Sequence, residues 1–281
     1  MNLYTDWSHL ATGFSHFFSP TPTGTSALPR PRPLVFGHRG AAGTHAENTH
    51  VGFQQAFVQR ADGIELDVRC CASGEVVVIH DDTIDRTSNG TGRVMSLSLT
   101  ELRRFSFCKH QGEDRGYEPI PTLEEVFARL PTDKLINVEI KNDDFHSHGE
   151  EAAIAQLIAR FDLHGRCLVS SFNPLVLWRL QQYDARLALA YLYRPQSHWY
   201  LRHLPVTWWL RLRALHPHHT LVTAHRVAQA HRQGLRVNTW TVNDEADLER
   251  VVACGVDGII TDYPAHVVAW LDARQERLTA A

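Results

Sequence analysis

From residue 34 onward the chain alternates short β-rich runs with stretches whose apolar residues recur at helical spacing. No other feature restricts its possible folds as much. The strand candidates are Leu34–His38, Gly63–Val68, Leu135–Ile140, Cys167–Ser171, Leu187–Leu192, Arg213–His216, Val237–Thr241 and Gly258–Thr261. Helical patterns lie between most of them, at Thr49–Gln59, Leu123–Leu130, Glu151–Phe161, Pro174–Tyr183, Ala224–Gln233 and Ala246–Ala253. Asn48, Thr122 with Glu125, Asn173-Pro174 and Asn243-Asp244 supply start signals for four of these. Eight strands with intervening helices in about 230 residues predict an α/β fold, a (β/α)8 TIM barrel. The alternative is a doubly wound sheet, but its Gly-rich dinucleotide fingerprint is absent.

One apolar run exceeds the barrel's count. Glu75–His80 follows the second strand after only Ala72-Ser73-Gly74. A parallel neighbour needs a crossover of a dozen residues or more, so this run predicts an antiparallel hairpin with the second strand. Pairing about a turn at Ser73-Gly74 places His80 roughly opposite Asp67. Residues 81–119, rich in Asp, Thr, Ser and Gly with a short helix near Leu99–Phe105, then form an insertion.

Composition narrows the partners. The chain has 281 residues, 43% of them hydrophobic and 21% charged, which is ordinary for a globular protein with a sizeable core. A net charge of −3 argues against a general nucleic-acid binder. The N-terminus has no basic region before an apolar stretch, and no run is long enough to span a bilayer. A cytoplasmic protein without stable membrane insertion is the expectation. The five cysteines suit neither a disulfide framework nor zinc-ligand spacing, and Cys70 and Cys71 read as packing residues. Residues 1–33 form an N-terminal extension ending in the Pro-rich linker PTPTGTSALPRPRP. The barrel domain is expected over 34–270, with its insertion at about 69–120 and a C-terminal tail at 271–281.

The chemistry-bearing residues fall near strand ends: HRG at 38–40, ELD at 65–67, IHDD at 79–82 and EIK at 139–141. Barrel active sites are built at the C-terminal ends of the strands. Residues two apart along a strand face the same side, so Glu65 with Asp67, and Glu139 with Lys141, can point to the barrel axis. Three convergent carboxylates without cysteine suit Mg²⁺ or Ca²⁺ better than Zn²⁺. The blander reading pairs each acid with an Arg or Lys at the rim. His38 and His80 are the acid/base candidates. Together with Arg39 and Lys141, this set points to metal-assisted cleavage of a phosphodiester.

HRG with AENT (46–49), IELDVR, VVVIHDDTIDRT, IPTLEEV, INVEIK, LVSSF, VNTWTVN and GVDGIITDYP run in order over about 34–266. In these motifs the chain strongly resembles the glycerophosphodiester phosphodiesterase family, and most closely its cytoplasmic bacterial members. The resemblance implies a TIM barrel with a small insertion after the second strand. It implies His38 and His80 as general acid and base in an order left open, and Glu65, Asp67 and Glu139 as metal ligands. Arg39 and Lys141 match the phosphate-contacting cations. Glu47 matches the acid that supports the first histidine from outside the reacting groups, and Trp240 matches an aromatic that flanks the substrate. A core tryptophan is the competing reading of Trp240. The implied partner is a small glycerophosphodiester, cleaved to sn-glycerol 3-phosphate and an alcohol. Ala46 stands where proline is common, and His50 where an aliphatic residue is usual.

The Trp-rich segment 197–212 lies outside the resemblance in detail. It reads as an outer barrel helix or a homodimer contact, and less readily as a lipid-facing surface. A lysophospholipase D-like enzyme is the second reading of the chain, and a non-catalytic barrel binding a phosphorylated ligand the third. Intact His38, His80 and all three carboxylates argue against the last. His216 and His218 can reach the mouth or pack in the rim.

Overall fold

The computed structural model describes residues 32–110, 113–114, 116–142, 144, 146–197 and 209–279. Nearly all of the N-terminal extension, and residues 198–208 of the Trp-rich segment, lie outside the described residues.

The chain runs β1 (Leu34–Gly37), α1 (His50–Val58), β2 (Gly63–Cys70), β3 (Val76–Val78), α2 (Leu99–Leu102), α3 (Leu123–Arg129), β4 (Leu135–Ile140) and α4 (Glu150–Arg160). It continues through β5 (Cys167–Ser171), α5 (Pro174–Tyr183), β6 (Ala188–Tyr193), β7 (Leu212–Pro217), α6 (Ala224–Arg232), β8 (Arg236–Thr239), α7 (Glu245–Ala253), β9 (Gly258–Thr261) and α8 (Pro264–Thr279). The parallel order is β2-β4-β5-β6-β7-β8-β9-β1, and β1 pairs back to β2, so the sheet closes as a TIM barrel. β3 lies outside it, antiparallel to β2.

Two apolar sets on alternating strand positions hold the barrel together. Leu34, Phe36, Leu135, Leu168, Ala188, Ala190, Ala214 and Ile260 fill its interior. Val35, Ile64, Leu66, Val68, Ile136, Val138 and Val169 pack outward against the helices. Because side chains alternate, Glu65 and Asp67 on β2 and Asn137 and Glu139 on β4 face inward with the first set.

Local chemistry sets the helix starts. Thr122 and Glu125 form a reciprocal capping box on α3, and Asn173 caps α5 with Pro174 in its first turn. At α1 the cap is Thr49, whose Oγ1 accepts from the Gly52 N–H at 3.0 Å. Asn48, the expected start signal, has φ 56° and turns its side chain elsewhere. Residues 264–279, not among the expected helices, form α8 and bury Pro264, Val267, Val268 and Leu271. It runs through residue 270 into the stretch read as a tail. Cys70 and Cys71 are buried in apolar clusters. No helix among the described residues is long and apolar enough to cross a membrane.

The hairpin forms with a register one residue from expectation. The Cys71 N–H donates to Glu75 O, leaving a three-residue loop in which Gly74 takes φ 94°. Val68 therefore pairs with Val78, and the Ile79 N–H donates to Asp67 O at 2.9 Å. Ile79, not His80, stands opposite Asp67. His80 is the next residue, where the chain leaves the ladder. Beyond it the insertion has a small core of its own, with Val77, Ile79, Ile84, Val94, Leu102, Phe107 and Ile120 buried together.

Candidate active site

His38 and Arg39 follow β1 in a tight turn. Arg39 has φ 50° and Gly40 φ 91°, and a Cβ on Gly40 would meet the Gly52 backbone at 2.6 Å, so glycine is needed there. The turn delivers the Arg39 N–H to Glu65 Oε2 at 3.0 Å.

Glu65, Asp67 and Glu139 converge, offering ligand atoms within 4.8 Å of one another. All three are buried. Burial, then the charge of Asp67, pushes the Glu65 carboxyl up to about 8. Burial also raises Glu139, against the pull of Lys141. Asp67 goes the other way: burial opposes its charge, but Arg39 and Lys141 hold it well below the usual carboxylate range. Arg39 Nε lies 3.2 Å from Asp67 Oδ2, and Lys141 Nζ lies 2.6 Å from Glu139 Oε1 and 3.6 Å from Asp67 Oδ1. Three acids share two cations, and burial disfavours the charged form of Glu65 and Glu139. A hard divalent cation relieves that imbalance, and the oxygen-only donor set fits one.

Each histidine has a carboxylate at Nδ1. His38 Nδ1 lies 2.6 Å from Asp262 Oδ1, and His80 Nδ1 lies 2.6 Å from Asp81 Oδ1. With those acids ionised, Nδ1 carries the proton and Nε2 remains for exchange with a substrate. Burial works against a charged His38, but the Asp262 hydrogen bond and the Glu65 charge outweigh it and raise its pKa. His80 is lowered by burial, with Lys141 and Arg39 adding to the effect against Asp67 and Asp81.

The structure thus brings His38, His80, Arg39, Lys141 and the three acids into one charged centre at the barrel mouth. Glu47 is placed differently from expectation. It pairs with Arg39 and Arg86, while the carboxylate on His38 is Asp262. The reason is barrel closure, which sets the end of β9 beside the end of β1.

Four further residues complete the surround. Asn48 Nδ2 donates to Asp67 Oδ2 at 2.9 Å, and Asn243 Nδ2 donates to Asp262 Oδ2 at 2.6 Å. Arg69 donates to His80 O at 2.9 Å and to Lys141 O at 3.0 Å, tying the hairpin to β4. Phe172 lies under Lys141 Nζ, 5.7 Å from the ring centroid. Asn48 and Asn243 stood in the motifs AENT and VNTWTVN, and both first read as helix starts. Trp240 is half-buried over the interior cluster, donates Nε1–H to His216 O at 2.9 Å, and meets Phe172 edge-on with centroids 5.5 Å apart. His216 itself is buried below, its pKa pushed down to about 3 by burial, while His218 stays at the rim against Trp240.

The arrangement suits one class of reaction, displacement at a phosphodiester on a TIM-barrel scaffold. Comparison with known proteins agrees. The model of the glycerophosphoryl diester phosphodiesterase family matches residues 38–266. The chain is 36% identical over 240 residues to a glycerophosphodiester phosphodiesterase of Caldanaerobacter subterraneus subsp. tengcongensis, covering 84% of this chain and 96% of that one. It is 34% identical to a glycerophosphodiester phosphodiesterase of Bacillus altitudinis, over 83% of this chain and 96% of the relative. A crystal structure of a putative glycerophosphoryl diester phosphodiesterase from Silicibacter pomeroyi has the same fold, with TM-score 0.79 at 24% identity over 94% of this chain and 99% of that one. An Oleispira antarctica phosphodiesterase, solved in complex with the product sn-glycerol-3-phosphate, has TM-score 0.71 at 26% identity over 86% and 97% of the two chains. The chain belongs to the glycerophosphoryl diester phosphodiesterase family and is a phosphoric diester hydrolase.

Proposed function

We propose that the protein hydrolyses glycerophosphodiesters to sn-glycerol 3-phosphate and an alcohol, with a divalent cation, Mg²⁺ or Ca²⁺, and with His38 and His80 as the acid/base pair. The observation that carries this reading is the pairing of a buried three-carboxylate cluster with two histidines, each backed by its own carboxylate. The product named for the Oleispira antarctica relative is the one this reaction releases.

Glu65, Asp67 and Glu139 would hold the cation, whose charge favours the negative phosphoryl oxygens. Arg39 and Lys141 add fixed positive charge beside them, which stabilises charge developing at phosphorus. One histidine takes a proton at Nε2 from the attacking water or from the substrate's own 2-hydroxyl, and in the second case water then opens the cyclic phosphate to release glycerol 3-phosphate. The other gives a proton from Nε2 to the departing alcohol oxygen. Trp240 and Phe172 would flank the alcohol group, a reading that the contact of Phe172 with both Trp240 and Lys141 supports. Coupled assay of glycerol 3-phosphate release across several glycerophosphodiesters, with EDTA and add-back of each metal, tests the proposal. Release that EDTA stops and Mg²⁺ or Ca²⁺ restores is expected, and no release in any combination overturns it.

A further inference from the structure

Arg86 lies in the insertion, within the motif VVVIHDDTIDRT, and its side chain is 49% exposed. Its Nε donates to Asp81 Oδ2 at 2.6 Å, while the other oxygen of Asp81 meets His80 Nδ1. Its Nη1 and Nη2 donate to the two oxygens of Glu47 at 2.7 and 2.8 Å. Glu47 Oε1 also accepts from Arg39 Nη1 at 2.9 Å, and Arg39 Nε faces Asp67. A continuous line of alternating charge therefore runs from His80 through Asp81, Arg86, Glu47 and Arg39 to Asp67.

This line joins two separately built parts of the molecule. His80 and Asp81 stand at the start of the insertion, which packs around its own core, whereas Arg39, Glu47 and Asp67 belong to the barrel and its first loop. Exposed ion pairs contribute little to stability, typically about 0–1 kcal/mol each. What the guanidinium supplies here is geometry. All three of its nitrogens are directed at carboxylates, in a planar fork that an ammonium group lacks.

We propose that Arg86 is a positioning residue: anchored on Glu47, it fixes Asp81 and thereby the imidazole of His80 over the acidic cluster. The inference rests on the proposed part of His80 in hydrolysis. It distinguishes Arg86 from Arg39 and Lys141, whose place is beside the phosphate.

The test is steady-state kinetics on a glycerophosphodiester with Arg86→Ala, Arg86→Lys and Asp81→Asn, with calorimetric metal affinity measured alongside. Arg86→Ala is expected to lower kcat by about 10–100-fold, as loss of an orienting partner does, with KM and metal affinity near wild type. Arg86→Lys should recover only part of the rate, and guanidinium ion added to Arg86→Ala should recover more. Combining Arg86→Ala with Asp81→Asn should cost little beyond either alone, because both act on His80. A raised KM with unchanged kcat would make Arg86 a phosphate-binding group and overturn the inference, as would full additivity with Asp81→Asn. If Arg86→Ala fails to fold, the Lys variant decides: wild-type kcat there overturns the need for a fork. Absence of glycerol 3-phosphate release by the wild type would instead overturn the hydrolytic reading, and this inference with it.

Discussion

His38 Nδ1 and Asp262 Oδ1 lie 2.6 Å apart although 224 positions separate them in the chain. β1 and β9 are neighbours in the closed barrel, with Gly37 opposite Thr261, so the residues just past the two strands meet at the mouth. Asn243 holds Asp262 from the other side through Nδ2, and accepts from the Asp262 N–H at 3.0 Å. The carboxylate is thus fixed before it orients the ring.

Asp262→Asn keeps the size of this group but can present an N–H to His38 Nδ1, favouring the wrong tautomer. By analogy with other carboxylate-backed histidines, kcat should fall by about 10²–10⁴-fold. Metal affinity and melting temperature should stay near wild type, since the acidic cluster is untouched. Stopped-time assays of glycerol 3-phosphate release read this directly. An unchanged kcat would remove Asp262 from the site.

The two histidines are biased in opposite directions, His38 above and His80 below the ordinary histidine pKa. The bias favours His38 as the group that holds the proton and His80 as the group that accepts one. The dependence of kcat/KM on pH should be a bell. Its rising limb follows deprotonation of His80 and its falling limb follows loss of the proton from His38. His38→Ala should lose far less rate on a p-nitrophenyl ester, whose leaving group needs no proton, than on an alkyl diester. His80→Ala should lose equally on both. The reverse pattern in a leaving-group series would exchange the two roles.

Much of this centre was legible in the sequence because strand alternation is a local rule. Once β2 and β4 are recognised, Glu65 with Asp67 and Glu139 with Lys141 must fall on one face. Asp262 was not legible in the same way, since its meaning arises only when β9 closes on β1. Asn48 looked like a helix cap because its left-handed backbone and its bond to Asp67 are tertiary features. Arg69 and Arg86 stood in the motifs IELDVR and VVVIHDDTIDRT, but each matters through groups that only folding brings to it. The hairpin register missed by one residue, because Gly74 closes a three-residue loop whose conformation is not written in the apolar pattern.

Removal of the metal should make stability depend on pH in a definite direction. Glu65 is pushed up to about 8 in the folded protein, and Glu139 and His38 are raised as well. A group whose folded pKa is raised stabilises the fold below its unfolded pKa and loses that contribution as pH rises through the folded value. The lowered histidines, His50, His80, His216 and His218, work the other way below the ordinary histidine value of 6.5. The Glu65 contribution is lost up to about 8, so its window stands clear of theirs from 6.5 to about 8. The EDTA-treated protein should therefore melt at progressively lower temperature across that window. Saturating Mg²⁺ or Ca²⁺ should flatten the fall, because cation binding favours the ionised acids. Glu65→Gln should flatten it without metal. A melting temperature that rises across the window in the metal-free protein would contradict this electrostatic account.

Trp240 offers a choice between packing and recognition that one pair of variants resolves. Its ring caps the interior cluster, its Nε1–H is held by His216 O, and Phe172 and His218 meet it edge-on at centroid distances of 5.5 and 5.1 Å. Such aromatic contacts contribute about 1 kcal/mol each beyond area burial. If the ring flanks the alcohol group, Trp240→Phe should raise KM by roughly fivefold, the equivalent of one such contact. The effect should vary among choline, ethanolamine and glycerol esters while kcat holds steady. Trp240→Ala should raise KM further and also lower the melting temperature, because it opens space above Ala190 and Ala214. KM values that stay at wild type for every head group in both variants, with only the melting temperature falling, would assign Trp240 to packing alone.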